Sequence, residues 1–372
     1  MKCKLSDICS FRKGKISVDG LNRSTYISTE NMLPNKCGIT EASSLPTVQL
    51  TQEYKKGDVL VSNIRPYFKK IWKATYDGGC SNDVLVFAAN SNTDKDFLYY
   101  ILANDDFFAY SMATSKGTKM PRGDKTSIMQ YEVPVMDIEL QRRIASILKS
   151  IDEKIELNNA INNNLEQQAL AIYQQMFVDN PSPEWKEGTL SDIADITMGQ
   201  SPSGSSYNEE SNGTIFFQGR AEFGFRFPTV RLFTTEPKRM ACANDTLISV
   251  RAPVGDLNVA HTDCCIGRGL AAIHSKTNHQ SFVLYTMFSL KKQLDVFNGE
   301  GTVFGSINRN SLNEMPILIP SDEKLDEFEG IVAPMDTAIR NNYDETCRLD
   351  KIRNSLLPKL MSGELDISDI DL

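Results

Sequence analysis

The clearest pattern of apolar and polar positions in this chain is a heptad. Ile144, Leu148, Ile151, Ile155, Asn158, Asn162, Leu165, Ala169, Ile172 and Met176 follow one another at 4,3 spacing. The seam is apolar at both ends and polar in the middle. It predicts a long helix over 138–177 that packs as a coiled coil rather than on a broad globular face. Moved on by 184 positions, the same frame reads Phe328, Val332, Met335, Ile339, Asn342, Thr346, Leu349, Arg353, Leu356 and Leu360. A second helix with the same polar centre is expected there. Arg353 is out of place in such a seam, and Pro334 and Pro358 should kink or end the helix. Elsewhere the pattern is one of short strands. Val59-Leu60-Val61-Ser62, Val84-Leu85-Val86-Phe87 and Thr246-Leu247-Ile248-Ser249-Val250 are β-branched or apolar runs bounded by Gly, Asp and Pro. One further helix per half is expected, over Asp96–Tyr110 and Gln280–Phe297.

The two halves repeat each other. Leu5-Ser6-Asp7-Ile8 returns as Leu190-Ser191-Asp192-Ile193, and the stretch Asp58 to Pro66 returns as Asp245 to Pro253. Cys80 is matched with Cys265, Gly117-Thr118 with Gly301-Thr302, and Asp152 with Asp336. Five anchors in one order at nearly one offset identify a tandem duplication. The expected architecture is α+β, two mixed domains in tandem repeat separated by two long helices that form an antiparallel coiled coil. The expected boundaries are 1–136 and 179–319 for the mixed domains, 137–178 for the first spacer helix, and 320–372 for the second with an acidic tail. Length dictates the antiparallel sense. A helix over 138–177 spans about 60 Å, whereas the intervening domain has a radius of gyration of about 15 Å. The second helix must therefore start near where the first stops, which sets Asn158 and Asn162 against Asn342 and Thr346.

Composition adds boundaries to this picture. The 372 residues, 41% hydrophobic and 24% charged, suit a globular chain of two or three domains. No apolar stretch is long enough for a membrane span and the start lacks the apolar run of a signal peptide, so a cytoplasmic protein is expected. Eight Cys without a CxxC pair and three His (His261, His274, His279) give no metal spacing, so no metal site is expected. The net charge of −8 speaks against a nucleic-acid partner until it is resolved by segment. Residues 1–135 hold 18 basic against 14 acidic side chains, while residues 320–372 hold 6 against 13. A basic first domain beside an acidic helix is compatible with DNA at the domains and protein partners along the helices.

Candidate contacts follow from that charge. Arg65 and Arg251 occupy matching positions after a strand, each close to Pro66 or Pro253; either they aim a planar fork at phosphate or guanine, or they cap a strand end in an ion pair. Lys69 and Lys70 follow Arg65. Lys116, Lys119, Arg122 and Lys125 face only Asp124 in a Gly-containing loop suited to tracking phosphates, and the counterpart loop carries Asn308 and Arg309. Phe223, Phe225 and Phe227 alternate as the buried face of a strand would, leaving Gln218, Arg220, Arg226 and Arg231 as readers. Ser201 and Ser203 lie in a Gly/Ser/Pro loop, and Arg268 completes the set. Catalytic signatures are missing. There is no Asp/Asn-Pro-Pro-aromatic tetrapeptide, Gly299-Glu300-Gly301 lacks a Walker Lys, and Glu184-Trp185-Lys186 is half a nuclease motif without its Asp. No catalytic residue is assigned.

The layout resembles the specificity (S) subunit of type I restriction-modification systems over essentially the full chain. The resemblance rests on Trp185 to Ile193 with Gly199-Gln200-Ser201-Pro202, and on the Asp-x-Leu-x-Ser strand of each half. It rests also on the helix containing Leu165-Glu166-Gln167-Gln168-Ala169, and on the ending Leu356-Leu357-Pro358-Lys359-Leu360-Met361-Ser362-Gly363-Glu364-Leu365. It implies a non-catalytic chain in which two target-recognition domains each read half of a bipartite double-stranded DNA site. It also implies two methyltransferase (modification) subunits bound along the helices, with or without restriction subunits as further partners. S-adenosylmethionine, ATP and Mg are then expected on those partners and no cofactor in this chain. The heptad seam, about 48 Å or about 14 steps of 3.4 Å, fits a spacer of that kind. Two alternatives from other classes are a protein-binding coiled-coil scaffold and a stand-alone DNA-modifying enzyme.

Overall fold

The computed structural model describes residues 2–299 and 305–365. The anchor Gly301-Thr302, Glu300 and the tail beyond Leu365 lie outside the described residues. The chain divides into two compact units, Met1–Asn158 with Asp344–Leu372, and Asn159–Tyr343. The two long helices pass through that division, so each unit holds a mixed domain and a segment of both helices.

In the first unit, Lys2–Lys4 pairs with Glu132–Pro134, and the single turn Leu5–Ile8 leads into a four-stranded antiparallel sheet. Its strand order is Cys9–Phe11, Val84–Ala89, Val59–Ser62, Ile71–Lys73. A second sheet, Lys15–Ser17, Leu50–Tyr54, Gly78–Cys80, Tyr26–Ile27, closes on a parallel pair. Val59, Val61, Leu85 and Phe87 share a core with Phe97, Leu98 and Ile101. Leu60, Val84 and Val86 turn the other way, onto Ile27, Tyr54 and Cys80 of the second sheet. Burial on both faces is why these strands read as continuous apolar runs instead of alternating ones.

The second unit repeats this plan. Lys186–Thr189 pairs with Pro316–Ile319, and Leu190–Ile193 leads into the order Ala194–Met198, Leu270–Ser275, Thr246–Ser249, Leu257–Val259. The other sheet has five strands in the order Tyr207–Asn208, Leu232–Thr234, Thr214–Phe217, Cys264–Ile266, Met240–Ala241. Ladder register refines one anchor. Cys80 lies opposite Ile27 and Ile266 lies opposite Phe217 in the matching parallel pairs, so Ile266, not Cys265, occupies the place of Cys80. The Asp-x-Leu-x-Ser strand has a structural cause. Asp58 and Asp245 each accept the backbone N–H three residues earlier, both at 2.8 Å, and Ser62 and Ser249 donate to the carbonyls of Ile64 and Pro253. The motif thus closes the turns on either side of a buried strand.

Three expectations change. The helix expected over Asp96–Tyr110 is two helices, Lys95–Ala103 and Asp105–Ala113, broken where Asn104 turns extended and caps the N–H of Asp106. The one expected over Gln280–Phe297 splits into Gln280–Ser289, Lys291–Asp295 and a 3-10 turn, Val296–Asn298. Phe223, Phe225 and Phe227 form no strand; Phe227 is buried but Phe225 is exposed, in an irregular segment punctuated by Gly224 and Pro228.

The long helices run Ile138–Tyr173, continued by a π turn Gln174–Asp179, and Asp322–Ser362. The second is continuous through Pro334 and Pro358. Both prolines are exposed, and the carbonyls they orphan belong to exposed Gly330 and Asn354, where water can replace the lost donor. In the first unit, Ile144 and Leu148 share a core with Leu357, Leu360 and Met361, and Asn158 donates to Glu345 at 2.8 Å. In the second, Leu165 and Ala169 pack with Phe328, Val332 and Ile339, while Asn342 donates to Asn162 at 2.9 Å. Low numbers of one helix meet high numbers of the other in both units, which is the antiparallel sense. The remaining seam positions Ile151, Met335, Leu349 and Leu356 are partly buried and Ile155 is buried.

A charged node recurs in both repeats and accounts for Arg353. In the first unit Tyr100 donates to Asp152 at 2.8 Å, and Arg353 bridges Asp152 and Asp350, both at 2.7 Å. In the second unit Tyr285 donates to Asp336 at 2.9 Å, and Arg226 bridges Asp336 and Glu166 at 3.3 and 3.1 Å. Tyr285, Asp336 and Asp350 are the repeat counterparts of Tyr100, Asp152 and Glu166. The acids and the tyrosine are duplicated, but the arginine comes from the helix in one unit and from the mixed domain in the other.

Candidate nucleic-acid interface

In the first unit the candidate residues gather around one turn. Arg65 (φ 51, ψ 64) and Lys69 (φ 50, ψ 45) flank the 3-10 turn Pro66–Phe68 in left-handed conformation. Asn35 (φ 56) and Lys36 (φ 63) lie against it, their N–H groups donating to the carbonyls of Phe68 (2.8 Å) and Lys69 (2.9 Å). This conformation costs an L-residue about 1–2 kcal/mol, and four of the seven described non-glycine residues that adopt it meet here. The Arg65 N–H donates to Pro121 and Ile64 bridges Arg122, which ties the basic loop to the turn. Lys116 and Arg122 close that loop with two backbone bonds of 2.9 Å.

The cations divide by what holds them. Lys69 and Lys36 both pair with Asp105, at 2.9 and 2.8 Å; burial works to raise that carboxyl, and the two ammoniums bring it below its usual range. Lys70 donates to Thr29 at 2.6 Å, and burial lowers its ammonium. Both lysines therefore brace the turn. Lys116 pairs with Asp124 at 2.7 Å and, with the backbone N–H and hydroxyl of Ser127, holds that carboxyl down to about 2. Arg122 reaches Asp83 at 3.0 Å yet stays exposed, and the ammonium of Lys125 lies 5.9 Å from the Phe11 ring. Lys119 is exposed and makes no ion pair among the described residues. Arg65 makes none either, and its Nε is buried without a hydrogen-bond partner. The ion-pair reading of Arg65 is thus not what the structure holds.

In the second unit four segments converge through glycines. A Cβ on Gly199 would stand 2.1 Å from the Gly267 carbonyl, and Cβ atoms on Gly267 and Gly269 would meet the backbone of Gln218 below 3 Å. Only glycine permits that approach, which brings Ser201, Gln218 and Arg268 together; the Arg268 N–H donates to the Ser201 hydroxyl at 3.2 Å. Val250 donates to the Gly269 carbonyl and Arg251 bridges Ser306, so Arg251 joins the same region, exposed and without an ion pair among the described residues. Arg220 is half exposed and paired with Asp256. Asn308 caps the helix Arg309–Asn313 through the N–H of Ser311, leaving Arg309 exposed. Ser203 is exposed and bonded to Ser205. Arg231 is held by Glu222 and Glu209.

Arg226 is corrected. It is 4% exposed, inside the charged node, so its guanidinium has no face left for DNA. Burial raises the carboxyls of Glu166 and Asp336, and Arg226 opposes that rise in both. The node borders a cavity of about 180 Å³ that also receives Phe227, Gln280, Glu329 and Arg340. Residues that sequence reasoning passed over are Tyr67, Phe68 and Met120, large apolar side chains left exposed at the turn and loop of the first unit. The signal for them was Arg65-Pro66, since a proline turn directly followed by two aromatics has no strand or helix in which to bury them. Among the described residues no helix is long and apolar enough to cross a membrane, and no cluster of His, Cys, Asp and Glu could hold a metal ion.

Comparison with known proteins speaks to the family and the fold. Residues 1–167 and 183–343 match the family described as type I restriction modification DNA specificity domain. The chain is 28% identical over 340 residues to a putative type I restriction enzyme specificity subunit (MjaX) of Methanocaldococcus jannaschii, covering 84% of this chain and 79% of that protein. It is 24% identical to the HindI specificity subunit of Haemophilus influenzae, covering 91% and 94%. The fold is similar to the crystal structure of the type I restriction-modification system S subunit from M. genitalium, with a TM-score of 0.64 at 17% identity over 99% of this chain and 96% of that one.

Proposed function

The chain belongs to the type I restriction-modification DNA specificity family, a non-catalytic DNA target-recognition subunit, and from that premise we propose that each mixed domain reads one half of a bipartite, asymmetric site. The observation that carries this is the duplication itself, two units of one plan, the first with loops of exposed Lys and Arg and the second with loops of exposed Arg and polar groups. We place the readers at 1–136 and 179–319. In the first, Arg65, Lys116, Lys119, Arg122 and Lys125 make the contacts while Lys69 and Lys70 hold the turn. In the second, Ser201, Ser203, Gln218, Arg220, Arg251, Arg268, Asn308 and Arg309 do so. Phosphate contacts fix position and the base-edge contacts of Arg, Gln and Ser supply sequence.

The helices at 137–178 and 320–372 act as the spacer between half-sites and as the mount for two methyltransferase subunits. Leu157 and Ile352 in one unit, and Ile161 and Ile331 in the other, are exposed apolar side chains on those helices and suit partner helices. Those partners carry S-adenosylmethionine and flip and methylate an adenine. The assembly works in the cytoplasm, with or without restriction subunits that carry ATP and Mg. The test is an exchange of residues 187–319 for the corresponding segment of another such protein, read by methylome sequencing. Only one half of the methylated site should change, and a change in both halves would refute the two-reader arrangement.

A further inference from the structure

We infer that the turn Pro66–Phe68 of the first unit is a stacking wedge, with Tyr67 entering a base step of the duplex while the loop 116–122 grips the flanking phosphates. The inference rests on the reading of this domain as a DNA reader and adds what kind of contact it makes. Three independent observations converge on it. Tyr67 is 49% exposed, Phe68 37% and Met120 49%, apolar side chains on the outside of a folded domain, on two segments that also carry Arg65, Lys119 and Arg122 and are tied by the Arg65 N–H to the Pro121 carbonyl. The two rings are tilted against each other at 4.6 Å, so Phe68 backs Tyr67 and fixes its direction. The backbone under them is held in an unfavourable form at Arg65, Lys69, Asn35 and Lys36, locked by paired N–H groups and by both lysines on Asp105. Strain maintained at non-glycine residues marks a geometry kept for a ligand rather than for stability.

Charge selects the occupant. An apolar patch meant for a protein surface would be rimmed by mixed charge. Here cations are in excess at the exposed rim: Asp105, Asp124 and Asp83 are each paired with Lys or Arg, and Glu30, on the Lys70 side, is the nearby acid without an ion pair among the described residues. A polyanion that also offers flat apolar faces is a nucleic acid, and aromatic side chains stack on bases of any sequence. Insertion of an apolar side chain unstacks a step and kinks the duplex there, which allows discrimination by deformability at positions the protein does not hydrogen-bond.

The experiment uses the full chain and a duplex selected from a random-sequence pool, with 2-aminopurine placed at each position of the site in turn. The wild type should brighten the probe at one step in the half read by the first domain. Tyr67→Ala should abolish that signal and weaken binding about 5- to 150-fold without changing the salt dependence, since no charge is lost. Tyr67→Phe should keep both. Tyr67 is exposed, so circular dichroism of the alanine variant should match the wild type and exclude misfolding. Tight binding with no brightened step, or a Tyr67→Ala variant that binds and brightens like the wild type, overturns the wedge and leaves the DNA reading intact. Absence of salt-dependent binding by the wild type overturns both.

Discussion

Replacing Arg226 by Met should unlock the second mixed domain from the helix segments it packs on. The side chain is 4% exposed, and its guanidinium reaches Glu166, Asp336 and the Tyr285 hydroxyl at 3.1, 3.3 and 3.2 Å. Methionine keeps most of the packing and removes the charge. Two carboxylates then remain in a site that already pushes both upward, and leaving such a charge unpaired costs about 3–5 kcal/mol. For a unit of this size that is a fall in melting temperature of about 6–20 °C. The loss must depend on pH. A carboxyl whose folded value is raised binds more protons in the folded state than in the unfolded one, so its contribution is present at low pH and is lost as pH rises through the raised value. Removing Arg226 raises Glu166 and Asp336 further. The gap between wild type and variant should therefore shrink as pH falls from 8 to 5.5, by about 1.4 kcal/mol per unit for one carboxyl that takes up its proton. Calorimetry of both proteins at the two pH values measures this. Adding Glu166→Gln and Asp336→Asn to the variant should restore most of the stability. An equal loss at both pH values, or no loss at pH 8, would refute the node as described.

Other consequences are smaller. Lys119→Ala should reduce the slope of log affinity against log salt by about 0.9 in a titration of duplex binding, since that exposed ammonium pairs with nothing else among the described residues. Lys116→Ala should raise the Asp124 carboxyl from about 2 part of the way toward its ordinary 3.8, followed by NMR titration, because the two Ser127 bonds stay; its stabilising contribution, present above the ordinary value and lost on acidification toward 2, should shrink accordingly. Asn162→Ala should cost about 1–3 kcal/mol in urea melts, because it strips a buried polar layer of its partner for Asn342.

What the chain disclosed in advance was whatever depends on period. The heptad seams, the duplicated strands and the polar layer at Asn158, Asn162 and Asn342 are set by which side chains are apolar, and that is written residue by residue. What it hid depends on the company a residue keeps. Arg226 lies among aromatics and arginines that read alike in sequence, and only the fold brings Glu166 and Asp336, 60 and 110 positions away, around it. Arg65 and Lys69 carry no mark of left-handed backbone, which ordinarily falls to Gly or Asn. Pro334 reads in the sequence as a kink or an end of the helix because its missing N–H is local knowledge, while the exposure that makes the loss tolerable is not.

The charged node also bears on what each mixed domain must bring to the helices it packs on. In the first unit both acids and the arginine that neutralises them, Asp152, Asp350 and Arg353, belong to the helices. A different first domain grafted onto those helices would leave that balance undisturbed, provided it supplies a tyrosine. In the second unit the helices carry only Glu166 and Asp336, and the incoming domain must bring the neutralising arginine with it. The two recognition slots are therefore unequal as acceptors of new sequence. In a domain exchange the first keeps its cation on the helix, whereas the second needs a buried arginine from the graft.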